Sequence, residues 1–247
     1  GRIPRSELER TEDMLRRAAA GLEAARRDGM AVLDRLRGQG STMLQLAVER
    51  ILIQRLSKDP AACADALRTA AVQVCNSAAE EIHHHLKQLC AVLSAALVEA
   101  RHVMRPGAEA EGQEISCEDI RGLPVPTLDL LPRTVKAPAM AALPWAGRRI
   151  AAASMERQAG GVLWRVLEAY ARSLEAWLLR QLDLLQQRFD AEAGVFRAEI
   201  ARTLSAGEMA AEHQERLKRW IEELERAGEM EVPRPPHSGQ GALTPTA

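Results

Sequence analysis

Glu80-Glu81-Ile82-His83-His84-His85 is the one place in this 247-residue chain where carboxylates and imidazoles crowd together. Both groups bind divalent cations. Glu80 with His84, and Glu81 with His85, stand four residues apart, which sets each pair on one face of a helix. Three successive histidines, however, project about 100° apart around a helix axis and cannot all reach one ion. A complete site needs ligands from a second helix, and no other segment nominates them. The cluster therefore reads as a polar helix face, with a metal site as the alternative, and no metal or cofactor is expected. An enzyme reading would rest on this cluster alone.

Other catalytic signatures are missing from the residues. No glycine is followed by lysine anywhere, so a phosphate cradle of the G-x-x-x-x-G-K-[ST] type is absent. Neither a G-x-S-x-G elbow nor an H-E-x-x-H pair occurs. With 33 basic against 34 acidic residues, no charge excess recommends nucleic acid or a strongly charged partner. Cys63, Cys75, Cys90 and Cys117 are widely separated and form no C-x-x-C pair. The first three lie in helical stretches, where cysteine serves as a small buried hydrophobe, and a reducing cytosol is the expected setting. The longest uncharged apolar run near the middle, Leu89 to Val98, is about half the length needed to cross a bilayer. The chain opens on Gly1 rather than Met and shows no signal peptide, which suggests a fragment or a processed product.

Helices must carry whatever the chain does. Apolar residues are 47% of the total but aromatics only 3%, so the core is expected to be Leu, Ala, Val, Ile and Met, the palette of packed helices. No run alternates β-branched and aromatic residues at period two, which argues against a sheet. Leu163, Val166, Leu167, Tyr170, Leu174, Trp177, Leu178, Leu184, Leu185, Phe189, Phe196, Ile200 and Leu204 recur in steps that place them on one helix face. Residues 162–204 as one helix would measure roughly 65 Å at 1.5 Å per residue. A compact globule of this chain length is only about 45 Å across. The expected fold is thus all-α, an elongated bundle of long antiparallel helices.

Further boundaries follow from caps and breakers. Ser6 and Glu9 have capping-box spacing and open the first helix. Leu8, Leu15, Leu22 and Leu36 then keep a seven-residue grid with Gly29 in the vacant slot, and Ala18, Ala25 and Val32 form a second column. Gly38, Gly40 and Ser41 stop that helix, and a second runs from about Thr42 to Leu56. Asp59-Pro60 starts a third that ends near Met104, before Pro106-Gly107. Six of the twelve prolines fall in 106–145, which reads as one long Pro-rich loop, acidic first and apolar later. A further helical region begins near Ala146. Gly160-Gly161 would cost about 2 kcal/mol relative to two alanines, so a kink or break is expected there. Ser205 and Glu208 repeat the capping spacing and open a final helix with Met209, Leu217, Trp220, Ile221 and Leu224. Residues 1–230 are taken as a single domain and 231–247, rich in Pro, Gly, Ser and Thr, as a disordered tail.

Two groups of residues are candidates for function. Leu143, Pro144 and Trp145 followed by Arg148 and Arg149 combine an interfacial aromatic with cations, a pairing suited to lipid headgroups or to a partner. The alternative, which is preferred, is that Leu123 to Leu143 straps across the bundle and fills a groove. Gly38, Gly40, Gly160 and Gly161 are the hinge candidates.

The order of elements resembles the region that follows the GTPase domain in bacterial dynamin-like proteins. The resemblance rests on the seven-spaced charged helix, "GLPVPTLDLLP" (Gly122 to Pro132), "LPWAGRRI" (Leu143 to Ile150) and the long helix from Val162 to Ile200, with its F-x-x-E run at Phe196 to Glu199. It covers roughly residues 5–205. It implies a neck and trunk of packed helices, cytoplasmic and peripheral to a membrane, that transmits nucleotide-driven motion and self-associates or joins a dynamin-like partner. The family's phosphate loop, switch residues and guanine-reading motif have no counterpart here, so no catalytic residue carries over and no enzyme activity is expected of this chain. Either a GTPase domain precedes Gly1 in the parent protein or this relative has lost it. A second reading is a stand-alone coiled-coil adaptor or scaffold that binds helical partners and never meets lipid.

Overall fold

The computed structural model describes residues 3–105, 115, 120, 122–136 and 147–229. Among these the regular elements are all helical, with no strand. They are α1 (Arg5–Gly38), α2 (Gly40–Ile53), a 3-10 turn (Leu56–Lys58), α3 (Pro60–Met104) and α4 (Gly147–Glu229). Internal contacts divide the chain into two units, Gly1–Ala198 and Glu199–Ala247.

In the first unit, α1 and α2 run one way and α3 and α4 the other. Arg35 of α1 reaches Glu81 of α3 at 2.6 Å, and a Cβ on Gly21 would touch Leu89, so the numbering falls along α3 as it rises along α1. Leu178 of α4 sits over Gly29, while Arg37 reaches back to Glu168 and Glu175. The seven-residue grid is the buried face of α1: Leu8, Leu15, Leu22, Gly29 and Leu36 are all inside. Alanines do much of the packing in α3, with Ala64, Ala71, Ala79 and Ala100 buried beside Leu67, Ile82, Leu86 and Leu93. Small side chains let helix axes approach closely, which raises the contact area each larger residue can use.

The expected start of α3 holds. Asp59 accepts hydrogen bonds from the Ala61 and Ala62 amides at 2.9 and 3.1 Å, and Pro60 occupies the first turn, where its missing N–H costs nothing. Other boundaries are corrected. Pro4 stands at the start of α1 and no side chain caps it; Glu9 instead pairs with Arg5 at 2.8 Å. The stop after Gly38 is a single residue, Gln39, and Gly40 and Ser41 already belong to α2. Leu56 falls in the 3-10 turn rather than in α2.

The larger correction concerns α4, which is continuous through Gly160-Gly161 and through Ser205. The Ser205 hydroxyl donates back to the Ala201 carbonyl at 2.9 Å, as Thr203 does to Glu199 at 2.8 Å. A serine bonded to the preceding turn cannot cap the next helix. The glycine pair keeps helical geometry because about 1 kcal/mol per glycine is small against the packing of the flanking turns. Met155, Ala159, Leu163, Val166 and Leu167 are all buried around it.

The apolar stripe on α4 is buried from Leu163 to Ile200, with two departures. Leu184 is 45% exposed and Leu182 is buried in its place, while Leu204 is only half-buried. Residues 122–136 lie over α3 and α4 without regular structure. Leu131 and Val135 are buried, whereas Val125 and Leu130 are exposed. Three backbone groups anchor the segment to the helices: the Val135 amide donates to Pro60, Arg68 donates to the Pro132 carbonyl, and Tyr170 donates its hydroxyl to Pro124. The Gln158 side chain clasps both the amide and the carbonyl of Lys136, at 2.9 and 2.8 Å. The remaining residues of 106–145, and the tail beyond 229, lie outside the described residues.

Candidate functional site

α2 lies antiparallel to the first turns of α4, and this seam collects most of the candidates. Gly40 and Ser41 open α2, and with Leu44 they face Glu156, Gly160, Gly161, Leu163 and Trp164 across a cleft of about 290 Å³. Three of the four hinge candidates, Gly40 and the Gly160-Gly161 pair some 120 residues further along, share one gap. Gly38 closes α1 beside it, one residue before the break at Gln39. A Cβ on Gly161 would meet nothing within 4 Å, and one on Gly160 would press on the Glu156 side chain at 3.3 Å and on nothing else. Trp164 stands at the edge, 59% exposed.

Space is free at Gly161, and a Cβ at Gly160 needs only a few tenths of an ångström from the flexible, solvent-facing Glu156 side chain, so the pair costs helix stability with little packing reason. Gly160→Ala with Gly161→Ala is expected to raise the stability of the first unit by about 2 kcal/mol. Denaturant titration checks this; an unchanged or lower midpoint would mean that the backbone there is not helical in solution.

The same seam continues to a second recess of about 250 Å³, lined by Gln45, Val48 and Glu49 of α2 and by Arg148, Arg149 and Ala152 of α4. Arg148 lies 3.8 Å from Glu49, with both side chains half or more exposed, so this pair contributes little to stability. Beyond Glu49, the end of α2 presents Arg50, Ile53 and Arg55, of which Ile53 is 81% exposed. Arg55 adopts the left-handed region (φ 56°), unusual for a residue with a side chain, and turns the chain from α2 into the 3-10 turn. Arg148 and Arg149 thus close one end of the α2–α4 seam, while Arg50 and Ile53 line a separate recess against Ala66, Ala70 and Gln73 of α3. Leu143 and Trp145, the other two candidates, lie outside the described residues.

The last turn of α1, next to the cleft, is held firmly. Arg37 donates to Glu175 at 2.7 Å and to Asp34 at 2.8 Å, and lies 3.3 Å from Glu168. The hydrogen bond to Glu175, more than any other contact, raises its pKa further despite partial burial. This bridge ties α1 to α4 and was not legible in the sequence, where Arg37 and Glu175 look like ordinary surface charges.

The histidine cluster does not assemble a metal site among the described residues, where no group of three or more His, Cys, Asp or Glu side chains converges. Glu81 turns to Arg35, and His84 shares a hydrogen bond with Gln88 at 2.9 Å. His83 and His85 are half-buried, and the Nδ1 atoms of both are enclosed without a hydrogen-bond partner. Burial, reinforced by Lys87, pushes the His83 pKa below its usual value. A histidine that is harder to protonate when folded makes the unfolded chain the better proton acceptor. Its contribution is present above about pH 6.5 and is lost as pH falls below it. Melting temperature should therefore drop between pH 7.5 and 5.5 by more in the wild type than in His83→Gln; equal drops would remove His83 from the account.

The cysteines behave as core residues. Cys63, Cys75 and Cys90 are fully buried thiols, and burial pushes the Cys75 thiol up to about 12. A thiol so resistant to ionisation is a poor nucleophile and a poor metal ligand. Cys117 lies outside the described residues. No helix among the described residues is long and apolar enough to cross a membrane.

No family model, no curated protein and no solved structure matches this chain.

Proposed function

We propose that this chain is the helical stalk and assembly region of a bacterial dynamin-like membrane-remodelling protein, an elongated bundle without a catalytic site of its own. It would work mechanically, self-associating and passing conformational change along its helices. The cleft between Gly40-Ser41 and Gly160-Gly161 carries this reading. Glycines with little packed against them sit opposite a helix junction one residue long, an arrangement that lets α2 shift against α4 while α1 stays clamped by Arg37. Stiff helices on either side then convert a small bend into a larger displacement at the far end of the seam.

The far end of the seam carries Arg148 and Arg149, and the α3 side of α2 adds Arg50 and the exposed Ile53, cations and an apolar side chain that suit an anionic lipid surface. In flotation with vesicles containing phosphatidylserine, the full chain should rise with the lipid, and Arg148→Glu with Arg149→Glu should abolish this while leaving the helical circular dichroism intact. A wild-type chain that stays at the bottom of the gradient would defeat the membrane part of the proposal. The second reading, an adaptor that binds helical partners, is favoured by a different observation: Met209, Leu217, Trp220 and Ile221 are all exposed on the second unit.

A further inference from the structure

In the second unit, the part of α4 from Glu199 onward has large apolar side chains that no described residue covers. Met209 is 73% exposed, Leu217 45%, Trp220 66% and Ile221 54%. At 3.6 residues per turn, Met209, Leu217, Trp220 and Ile221 span about 120° of one face, the width of a stripe that packs against another helix. Exposed stripes of this kind mark association surfaces. The charges along its edges say what associates.

Arg216 and Glu223 border the same edge of the stripe, seven residues apart. A basic residue at one position and an acidic one two turns later make an edge complementary to its own two-fold copy. When two such helices lie antiparallel, crossing near Trp220 and Ile221, Arg216 of each faces Glu223 of the other. In a parallel pair this edge would lie on opposite sides of the seam in the two copies, so Arg216 and Glu223 would not meet. Charged edge positions of this sort decide partner and orientation in paired helices. On the side away from the stripe, Arg219 lies 3.7 Å from Glu215 and Arg226 3.7 Å from Glu222, all strongly exposed, so these four compete weakly for the edges.

We infer that residues 209–223 of α4 form a self-pairing surface on which a second copy of this chain docks antiparallel, centred on Trp220 and Ile221. The inference deepens the self-association proposed above by naming its surface and its partner.

The test is charge reversal in the full chain, read by sedimentation velocity over a concentration series at low and high salt. The wild type should dimerise, more weakly as salt rises. Arg216→Glu alone and Glu223→Arg alone should each weaken dimerisation at least about ten-fold, since each turns two attractive contacts into two repulsive ones. Mixing those two variants should restore association as a heterodimer, and the double variant should restore the homodimer. A wild type that remains monomeric at about 100 µM, or reversals that leave dimerisation untouched, would overturn the inference. Failure of the mixture and of the double variant to recover would do the same, pointing to lipid or a different helical chain as the occupant. A chain that floats with vesicles yet stays monomeric fails here alone; one that dimerises by these charge rules but ignores vesicles fails the membrane reading alone.

Discussion

Leu174→Pro is expected to leave the first unit unfolded at room temperature. Leu174 is fully buried in the middle of the α4 stripe, with helix on both sides. Proline there removes the hydrogen bond to the carbonyl of Tyr170 and drives its ring against that carbonyl, at a cost of about 3 kcal/mol or more. Losing the leucine side chain from a closed core adds roughly 2–4 kcal/mol. The sum is comparable with the whole stability of an ordinary domain, about 5–15 kcal/mol. Far-UV circular dichroism during thermal melting is the check. A cooperative transition within a few degrees of wild type would show that α4 is not one packed helix at this point.

Gly29→Leu is expected to destabilise the same unit by about 3 kcal/mol, although leucine is the residue the seven-residue grid of α1 calls for. Overpacking of a closed interior costs about 1–3 kcal/mol and sometimes more, and here there is no space to begin with. Even a single Cβ on Gly29 would lie 2.5 Å from Cδ2 of Leu178, and Leu178 is itself buried. In Gly29→Ala the clash falls on the end of one side chain and is partly offset by the roughly 1 kcal/mol that alanine gains in a helix, so that change should be close to neutral. Adding Leu178→Ala to Gly29→Leu should recover much of the loss, because the new leucine can occupy the vacated volume. Chemical denaturation of the four chains gives the coupling directly. A Gly29→Leu chain as stable as wild type would mean that α1 and α4 do not meet at this position.

That glycine also marks the limit of what patterning can say. The grid correctly singles out the buried face of α1, because a residue every seven positions returns to the same side of a helix wherever the helix is placed. Why one slot is empty depends on which side chain arrives from α4, and the pairing of Gly29 with Leu178 spans 149 residues without local trace. The same holds for Arg37 and Glu175, and for Gly40 and Gly160. In each case the residues are legible one by one and the meeting is not.

Local signals divided in the same way. Asp59-Pro60 marks a helix start because the cap and the proline ring act within a few residues. Ser6/Glu9 and Ser205/Glu208 carry a similar spacing and do not cap, since Glu9 is taken by Arg5 and Ser205 bonds to the turn before it. A capping motif states what is available; the neighbouring turns settle what is used. Gly160-Gly161 is the reverse case, a break written in propensity that buried neighbours on both sides override.

From composition and periodicity alone came the all-helical character, the core faces of α1 and of α4 as far as Ile200, and the start and end of α3. These follow from bonds and repeats that close within one or two turns. Tertiary structure alone decided that the α2–α4 seam unites the glycines, that Arg148 meets Glu49, and that no described residue covers the apolar face beyond Ile200. The physical reason is distance along the chain: burial is set by what packs against a face, and a helix's own sequence does not contain its neighbour.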